Sequence, residues 1–321
     1  MLKKIARNAE FSRDFQILEM FLCLVWSPIK LAMLWAARKY SSLLLPIGAE
    51  NPVEFHELGY FGAVSGTLVI NEIYLSLQGE STFAGLPCIF IRLAACDLRC
   101  SYCDTAYAFT EGEKQPLGQV QAEVHGQAAP FGAPVRRTRS LPVNGASGQI
   151  GQRLPLVELT GGEPLLQKSS LPLMQALCDD GFTVLLETSG AHDIGPVDPR
   201  VRRIMDLKCP GSGEAAHNRW ENLSCLKGSD EIKFVIATVE DYEWAKQCMA
   251  EHKLDALCPL LFSWAHPLGP EQQSKSLKKL PAGQTPISRR DLAERIMADA
   301  LPVRFQVQLH KVIWAPEQRG V

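Results

Sequence analysis

The chain has 321 residues, of which 46% are hydrophobic and 21% are charged, as in an ordinary globular protein. This composition excludes disorder or a collagen-like repeat as a description of the whole chain. Its 33 basic and 35 acidic side chains leave a formal net charge of −2, which gives no overall attraction to nucleic acid or to an anionic membrane.

Residues 1–66 precede the regular pattern and are interpreted as an N-terminal extension of unknown role. Within them, residues 15–37 are rich in large apolar side chains, but Glu19, Pro28 and Lys30 interrupt the run that a transmembrane helix requires. The segment does not clearly show the compact apolar region and the small-residue cleavage site of a signal peptide either. We expect a buried or amphipathic helix there, with a membrane anchor as the less favoured alternative, and a cytoplasmic protein with no membrane partner.

From residue 67 onward, short apolar runs alternate with loops and helical stretches. Strands are predicted within TLVINEIYLSLQGE (67–80), PCIFIRLA (87–94), LPLVELTGGEP (154–164), GFTVLLETSG (181–190), VRRIMDLKCPGSG (201–213), DEIKFVIA (230–237), ALCPLLFS (256–263) and PVRFQVQLHK (302–311). Helices are predicted over Leu171–Cys178, Tyr242–His252 and Arg289–Met297. This alternation predicts an α/β protein with a parallel sheet, covered on both faces or closed into a barrel.

Two stretches break the alternation and are interpreted as long flexible insertions. Residues 125–153 are rich in Gly, Pro, Ala and Ser and contain basic but no acidic side chains, and residues 267–287 look similar. The basic residues have no aromatic residues interleaved for base stacking, so a solvated surface is favoured over a nucleic-acid site.

Three of the ten cysteines lie within eight residues and directly follow a predicted strand. Cys96, Cys100 and Cys103 have the spacing C-x3-C-x2-C, which indicates metal or redox chemistry in a reducing compartment. Thiolates suit zinc and iron–sulfur clusters, but a structural zinc site normally has a fourth ligand, and no second ligand pair lies nearby. Three cysteines can bind three irons of a four-iron cluster and leave the fourth iron open, as a catalytic site requires.

These cysteines, together with LTGGEP (159–164), resemble the radical S-adenosylmethionine (SAM) superfamily. Within it, SLQGESTFAGLPCIFIRLAACDLRCSYCDT (76–105) is similar to the 7-carboxy-7-deazaguanine synthase family. Further similar segments are VELTGGEPLLQ, LLETSG, DLKCPGSGE, NRWENL, EIKFVI, DYEWA and VRFQVQLHKVIWAP. The resemblance covers residues 67–321 apart from the two insertions. It implies a core domain that is an incomplete (β/α) barrel of radical SAM type, with about six parallel strands and the cysteine loop at the carboxyl end of the first.

The resemblance also implies an activity. The family contracts 6-carboxy-5,6,7,8-tetrahydropterin to 7-carboxy-7-deazaguanine with loss of ammonia, a carbon–nitrogen lyase reaction of queuosine biosynthesis, which serves tRNA modification. Its cofactors are a [4Fe-4S] cluster, SAM and Mg²⁺, and reduction of the cluster cleaves SAM to a 5′-deoxyadenosyl radical, so no side chain is expected to be catalytic. An electron donor such as flavodoxin and a homodimer are implied, and no nucleic-acid partner.

Site residues are carried over from the family motifs position by position. The cluster falls on Cys96, Cys100 and Cys103, and magnesium on Thr105. SAM contacts fall on Tyr102, Gly162, Glu163, Asp206, Leu207, Lys208, Ser263, Trp264, Ala265 and His266. Substrate contacts fall on Leu77, Gln78, Gly79, Glu80, Arg92, Thr160, Glu187, His310 and Pro316. These residue types suit the ligands, because Gln and Glu can read the donors and acceptors of a pterin and an Arg fork matches a carboxylate.

Two positions depart from the family pattern. Trp264 stands where the family often has proline, and five residues follow Pro316, where short members end. Two other functions remain as alternatives: a radical SAM activase of a glycyl-radical enzyme, and a non-catalytic zinc or iron–sulfur binding module. The QGE element (78–80) and the QLHK element (308–311) favour a small-molecule pocket over the activase.

Overall fold

A computed structural model describes residues 65–132 and 154–321, which belong to one compact unit. Residues 1–64 and 133–153 lie outside the described residues. With them go nearly all of the predicted N-terminal extension, including its apolar segment, and most of the first predicted insertion. Within the described ranges, none of the helices has the length and apolar character needed to span a bilayer.

The described residues build one sheet of nine strands in the order β3-β1-β2-β4-β5-β6-β7-β8-β9. The strands are β1 (Thr67–Leu77), β2 (Pro87–Leu93), β3 (Glu113–Pro116), β4 (Leu156–Gly161), β5 (Val184–Thr188), β6 (Arg202–Asp206), β7 (Glu231–Ile236), β8 (Leu260–Trp264) and β9 (Arg304–Gln306). Strand β2 and strands β4 to β9 run parallel, whereas β1 is antiparallel to both β2 and β3. The parallel set therefore has seven strands, in line with the expected number of about six, and its last strand, β9, pairs with β8 inside the predicted segment 302–311.

Five α-helices accompany the sheet in the described residues. They are α1 (Leu117–Ala128), α2 (Ser170–Asp179), α3 (Val239–His252), α4 (Arg289–Ala298) and α5 (His310–Ile313). Helix α3 begins with a capping box, in which the Asp241 N–H donates to Thr238 Oγ1 at 3.0 Å and the Thr238 N–H donates to the Asp241 carboxylate at 3.2 Å. Side chains thus satisfy backbone donors that the first helical turn leaves without partners.

The alternation of side chains along each strand separates the core from the interior of the barrel. One face of β2 carries Ile89, Ile91 and Leu93, which are wholly buried in the main core together with apolar side chains from α1 to α4. The opposite face of the sheet carries a second apolar cluster, formed by Phe83, Cys88, Phe90, Leu156, Leu185, Ile204 and Leu261. Further toward the carboxyl ends, the same inward face becomes polar. Because side chains alternate with period two, these polar side chains are directed into the interior.

The sheet remains open, and the segment after β1 spans the gap to β9. The Ser81 N–H donates to Gln306 Oε1 at 2.9 Å, and Gln306 Nε2 donates to the Ser81 carbonyl oxygen at 2.6 Å. The Leu309 N–H also donates to the Gly79 carbonyl oxygen at 3.0 Å. These bonds join the two sides of the barrel without strand pairing, which confirms the expected incomplete (β/α) barrel.

Two parts of the structure differ from the sequence prediction. Strand β3 and helix α1 were not predicted, and α1 covers residues 125–128 of the first expected insertion, since Val120, Val124 and Ala128 pack one turn apart in the core. Residues 267–287, predicted to be a flexible insertion, are mostly exposed but are joined to the domain at their end: Pro286 forms a β-bridge with Thr238, and Ile287 is 5% exposed. The high content of small and polar residues concealed both features.

Candidate functional site

A cavity of about 240 Å³ lies at the carboxyl ends of the parallel strands and in the barrel interior. It is lined by every predicted site residue except Glu163 and Leu207. The predicted residues that line it are Leu77, Gln78, Gly79, Glu80, Arg92, Cys96, Cys100, Tyr102, Cys103, Thr105, Thr160, Gly162, Glu187, Asp206, Lys208, Ser263, Trp264, Ala265, His266, His310 and Pro316. These residues come from opposite ends of the core sequence, so folding of the barrel brings together motifs that are far apart along the chain.

The cysteine loop begins where β2 ends and is fixed by neighbouring loops. The Arg99 N–H donates to Glu214 at 2.6 Å, the Ser101 N–H donates to the Ser212 carbonyl oxygen at 3.0 Å, and Ser101 Oγ donates to the Gly211 carbonyl oxygen at 2.6 Å. The loop conformation is therefore set by the segment after β6 as well as by its own sequence.

The three thiols of the loop are free, as are all nine cysteines of the described residues. Burial raises the pKa of Cys96 to about 12 and that of Cys103 to about 11, so binding of a metal there would release protons. In residues 65–132 and 154–321, no group of three or more His, Cys, Asp or Glu side chains is already arranged to hold a metal ion. The donor set nevertheless suits a soft metal centre, because three thiols of one short loop line the same cavity.

The two glycines at the end of β4 let the backbone lie against the cysteine loop. The Gly162 N–H donates to the Leu93 carbonyl oxygen at 3.0 Å, and a Cβ at Gly162 would lie 1.9 Å from the carbonyl oxygen of Ala95. At Gly161, which has a φ of 134°, a Cβ would lie 2.2 Å from the Leu93 carbonyl oxygen. Glycine is therefore required at both positions for this close approach.

Glu163 and Leu207 do not line the cavity and contact other parts of the protein, so their contact with SAM stays a prediction. The carboxylate of Glu163 is wholly buried and accepts hydrogen bonds from the Leu165 N–H at 2.9 Å, the Thr188 hydroxyl at 2.9 Å and the Ser189 N–H at 2.7 Å. It therefore ties β4 to the end of β5 instead of lining the cavity. The Leu207 side chain packs in the main core, and its N–H donates to the Lys233 carbonyl oxygen at 2.9 Å.

On the side of the cavity assigned to SAM, several polar groups have hydrogen-bond or ion-pair partners among the described residues, and one buried hydroxyl has none. Lys208 forms an ion pair with Asp206, and the Lys208 N–H donates to Asn218 Oδ1 at 2.8 Å. The Trp264 indole donates to the Ile287 carbonyl oxygen at 2.9 Å. The Tyr102 hydroxyl is buried and has no hydrogen-bond partner within the described part of the chain. An orphaned hydroxyl of this kind is suited to a ligand that enters the cavity.

The substrate side is organised around Lys233, which the motifs did not identify. Its ammonium group forms ion pairs with Glu80 at 2.7 Å, with Asp206 at 3.5 Å and with Glu187. The Thr160 hydroxyl donates to the other oxygen of Glu187 at 3.0 Å. Burial opposes ionisation of Glu187, but the Lys233 ammonium prevails and holds the pKa of Glu187 at about 2. The carboxylates of Glu80 and Glu187 are thus ordered before any ligand binds.

Arg92 is oriented by a cluster of side chains from β1 and the cysteine loop. Its Nε donates to Glu72 at 2.7 Å, and its Nη2 donates to the Tyr74 hydroxyl at 2.8 Å. The Tyr107 hydroxyl donates to the same oxygen of Glu72 at 2.9 Å. Because these contacts hold one edge of the guanidinium group, the rest of it is presented to the cavity as a fixed cation.

The segment after β9 forms the wall opposite the strands. His310 packs on Gly79, where a Cβ would lie 2.5 Å from Nδ1 of the imidazole. Lys311 forms an ion pair with Asp104, next to Thr105, and Gln272 Nε2 donates to the Pro316 carbonyl oxygen at 3.2 Å. Residues 317–321, beyond the family motif, also line the cavity.

Sequence reasoning missed Glu158 and Lys233, although a signal for both exists. Each is a charged residue in the middle of a largely apolar strand, LVELTG and EIKFVI, at a position whose alternation directs it inward. Glu72, Tyr74 and Tyr107 carried no such signal, because only the antiparallel register of β1 and β2 places Glu72 opposite Arg92.

No family model matches the chain. A curated 7-carboxy-7-deazaguanine synthase of Koribacter versatilis is 41% identical over 254 residues, which are 78% of this chain and 99% of the relative. A second, of Chlorobaculum tepidum, is 40% identical over 257 residues, which are 79% of this chain and 97% of the relative. The chain belongs to the 7-carboxy-7-deazaguanine synthase family.

The crystal structure of QueE from Escherichia coli matches the fold with a TM-score of 0.52 and 22% identity, over 76% of this chain and 95% of that chain. It shows a common fold. Membership of the 7-carboxy-7-deazaguanine synthase family, as the sequence resemblance predicted, favours the ring-contracting reaction over the activase and the non-catalytic metal module.

Proposed function

We propose that the chain is a magnesium-dependent radical SAM 7-carboxy-7-deazaguanine synthase, which contracts 6-carboxy-5,6,7,8-tetrahydropterin to 7-carboxy-7-deazaguanine with loss of ammonia. The observation that carries this proposal is that a single cavity holds a loop of three free thiols beside a charged pocket built on Arg92, Glu187 and Lys233. An activase would require a surface for a protein partner, whereas this pocket is in the interior of a barrel.

The residues fit the cofactors that the family implies. Cys96, Cys100 and Cys103 would hold a [4Fe-4S] cluster with one iron open, and the unpaired Tyr102 hydroxyl with the segment 263–266 would contact SAM. When bound, the reduced cluster and SAM supply the 5′-deoxyadenosyl radical. The three thiols, Gly162, Asp206 and Lys208 are proposed to position them, and the barrel interior to exclude bulk water.

The remaining cavity residues are proposed to bind the pterin. Arg92 provides a charge-assisted contact to the substrate carboxylate. Thr160, Glu80 and Glu187 offer acceptors and donors of fixed orientation to the ring edges, since Lys233 already orders both carboxylates. Leu77, Gln78, Gly79, His310 and Pro316 complete the walls. Thr105 is proposed as the hydroxyl ligand of Mg²⁺, a hard cation that keeps several waters and shares substrate oxygens.

The test is anaerobic reconstitution of the full chain with iron and sulfide, followed by incubation with SAM, reductant, Mg²⁺ and carboxytetrahydropterin. We expect about four irons per chain, consistent with one four-iron cluster, and formation of deazaguanine. Thr105→Ala is expected to weaken the magnesium dependence and to leave the iron content unchanged. Labelling of a glycine in a partner protein without deazaguanine would support the activase, and about one zinc per chain without turnover would support the metal module.

We further propose a homodimer in a reducing, cytoplasmic setting, reduced by a donor such as flavodoxin and acting in queuosine biosynthesis. The free thiols of the described cysteines support the reducing compartment. Size-exclusion chromatography with light scattering tests the dimer, and turnover with reduced flavodoxin in place of a chemical reductant tests the donor.

A further inference from the structure

Glu158 is a buried carboxyl group in the wall of the cavity, and neither the family motifs nor the roles proposed above use it. It lies in the middle of β4, two residues before Thr160, is 1% exposed and lines the cavity. Its neighbours in register on β2 and β5 are Phe90 and Leu185, both members of the inner apolar cluster. The carboxyl group of Glu158 is thus flanked by Phe90 and Leu185, which together are named the apolar floor.

The hydrogen bonds and ion pairs around Glu158 leave it only partly satisfied. Gln78 Nε2 donates to Glu158 Oε2 at 2.6 Å. Among residues 65–132 and 154–321, no lysine, arginine or histidine forms an ion pair with Glu158, because the nearby Lys233 is engaged by Glu80, Glu187 and Asp206. A buried carboxylate without an ion-pair partner is costly, which favours the protonated form of the group.

The electrostatic surroundings agree with the protonated form. Burial and the negative charge of Glu187 raise the pKa of Glu158 well above its usual value, although the hydrogen bond from Gln78 and the positive charge of Lys233 oppose them. A protonated carboxyl group offers an O–H donor beside a carbonyl acceptor. Since a carbonyl oxygen has two lone pairs, Oε2 can accept a second hydrogen bond in addition to the one from Gln78.

We propose that Glu158 is a further substrate-binding residue, whose neutral carboxyl group pairs with an adjacent N–H donor and ring acceptor on the pyrimidinone part of the pterin. This inference rests on the proposed function. The pairing is complementary because one edge of that ring presents N–H beside C=O, so that both hydrogen bonds form at once. A charged carboxylate would satisfy the N–H but repel the ring oxygen. The carboxylate of the substrate is left to Arg92.

Two substitutions separate this role from a structural one. Glu158→Gln keeps a neutral donor and acceptor of similar shape and is expected to leave KM for carboxytetrahydropterin within about threefold of wild type. Glu158→Leu suits the apolar floor but loses both hydrogen bonds, and is expected to raise KM and to weaken anaerobic equilibrium binding by roughly ten- to a hundredfold. Iron content and SAM cleavage without substrate should be unchanged in both. Leu185→Met, on the adjacent strand of the same floor, is the control for repacking and should keep the wild-type KM.

The outcomes are distinct from those that test the function itself. If the wild-type chain carries its cluster and yields no deazaguanine, the proposed function fails. If it yields product and Glu158→Leu binds substrate as tightly as wild type, only this inference fails. Loss of binding in Glu158→Gln equal to that in Glu158→Leu would overturn the neutral pairing. If Glu158→Leu does not fold, Glu158→Asp takes its place: the carboxyl is withdrawn by one methylene, KM should rise severalfold, and an unchanged KM would overturn the inference.

Discussion

The ammonium group of Lys233 lies 2.7 Å from a carboxylate oxygen of Glu80, although the two residues are 153 positions apart. Lys233 is on β7 and Glu80 follows β1, so this ion pair crosses the interior of the barrel. The same ammonium group pairs with Glu187 and Asp206. One cation therefore balances carboxylates assigned to the pterin and to SAM, and couples the order of the two sides of the cavity.

Replacing Lys233 by Met should destabilise the fold, because it leaves buried carboxylates without a counter-ion. We expect the free energy of unfolding to fall by about 3–5 kcal/mol at pH 7. Lys246→Met is the matched control: Lys246 pairs with Asp299 and Glu243 on the surface of α3, and its loss should cost less than about 1 kcal/mol. Denaturant unfolding of both variants measures the difference. Equal destabilisation would show that the interior network contributes no more than a surface pair.

The raised pKa of Glu158 gives stability a specific pH dependence. Its pKa is higher in the folded chain than in the unfolded chain, so its contribution is fully present below the ordinary glutamate value near 4.5 and is lost as pH rises toward the folded value. Glu158→Gln does not titrate. The free energy of unfolding of Glu158→Gln minus that of wild type should therefore increase from pH 5 to pH 8, because only the wild-type protein loses stability. A difference that stays constant or declines over this range would show that Glu158 is ionised in the folded chain.

The cluster assignment predicts a clear difference among cysteine variants. Cys96→Ala, Cys100→Ala and Cys103→Ala should each abolish SAM cleavage, since two thiolates do not hold a four-iron cluster with an open iron. Cys225→Ala is the control, because Cys225 packs beside the main core and does not line the cavity. Iron and sulfide analysis after anaerobic reconstitution provides the measurement. Wild-type iron content in Cys100→Ala would contradict the assignment.

Lys278, in the segment 267–287, contacts the cysteine loop both directly and through Glu214, which predicts that it stabilises the loop. The Lys278 N–H donates to the Arg99 carbonyl oxygen at 2.9 Å, and Lys278 Nζ donates to Glu214 at 2.8 Å. Glu214 in turn accepts from the Arg99 N–H. Lys278→Met should therefore release iron to a chelator several times faster than wild type, whereas Lys275→Met, an exposed lysine of the same segment, should not. Identical rates of iron release in the two variants would show that the Lys278 side chain does not stabilise the cysteine loop.

The strand pattern predicted a parallel sheet or barrel, and the motifs of the family resemblance implied the incomplete barrel and most of the residues that line its cavity. Both depend on local sequence: apolar runs that end in loops give strands whose carboxyl ends meet at one rim. The hydrogen bonds of the buried Glu163 carboxylate could not be predicted, because their donors, the Thr188 hydroxyl and the Ser189 N–H, come from the end of another strand. Helix α1 was missed because its buried residues are separated by polar ones, and its end merges with a segment rich in small residues.

The orientation of Arg92 also depends on contacts between strands that the sequence pattern does not reveal. The motif predicted a cation for the substrate carboxylate, but Glu72 and Tyr74, which orient it, are brought there by the register of β1 against β2. Arg92→Ala should lose roughly 1.5–3 kcal/mol of substrate binding, or about ten- to a hundredfold in apparent affinity. Arg92→Lys should restore only part of it, because a point charge does not replace a planar fork held at one edge.

Glu72→Gln distinguishes the orientation of Arg92 from its charge. It keeps an acceptor near Arg92 Nε but removes the charge, so KM should rise by less than in Arg92→Ala while the iron content stays at the wild-type level. Tyr107→Phe is the milder control, because it removes only the hydrogen bond to Glu72. The assay is deazaguanine formation at limiting substrate, measured beside release of 5′-deoxyadenosine. If Arg92→Ala forms product at the wild-type rate under these conditions, the substrate carboxylate binds elsewhere in the cavity.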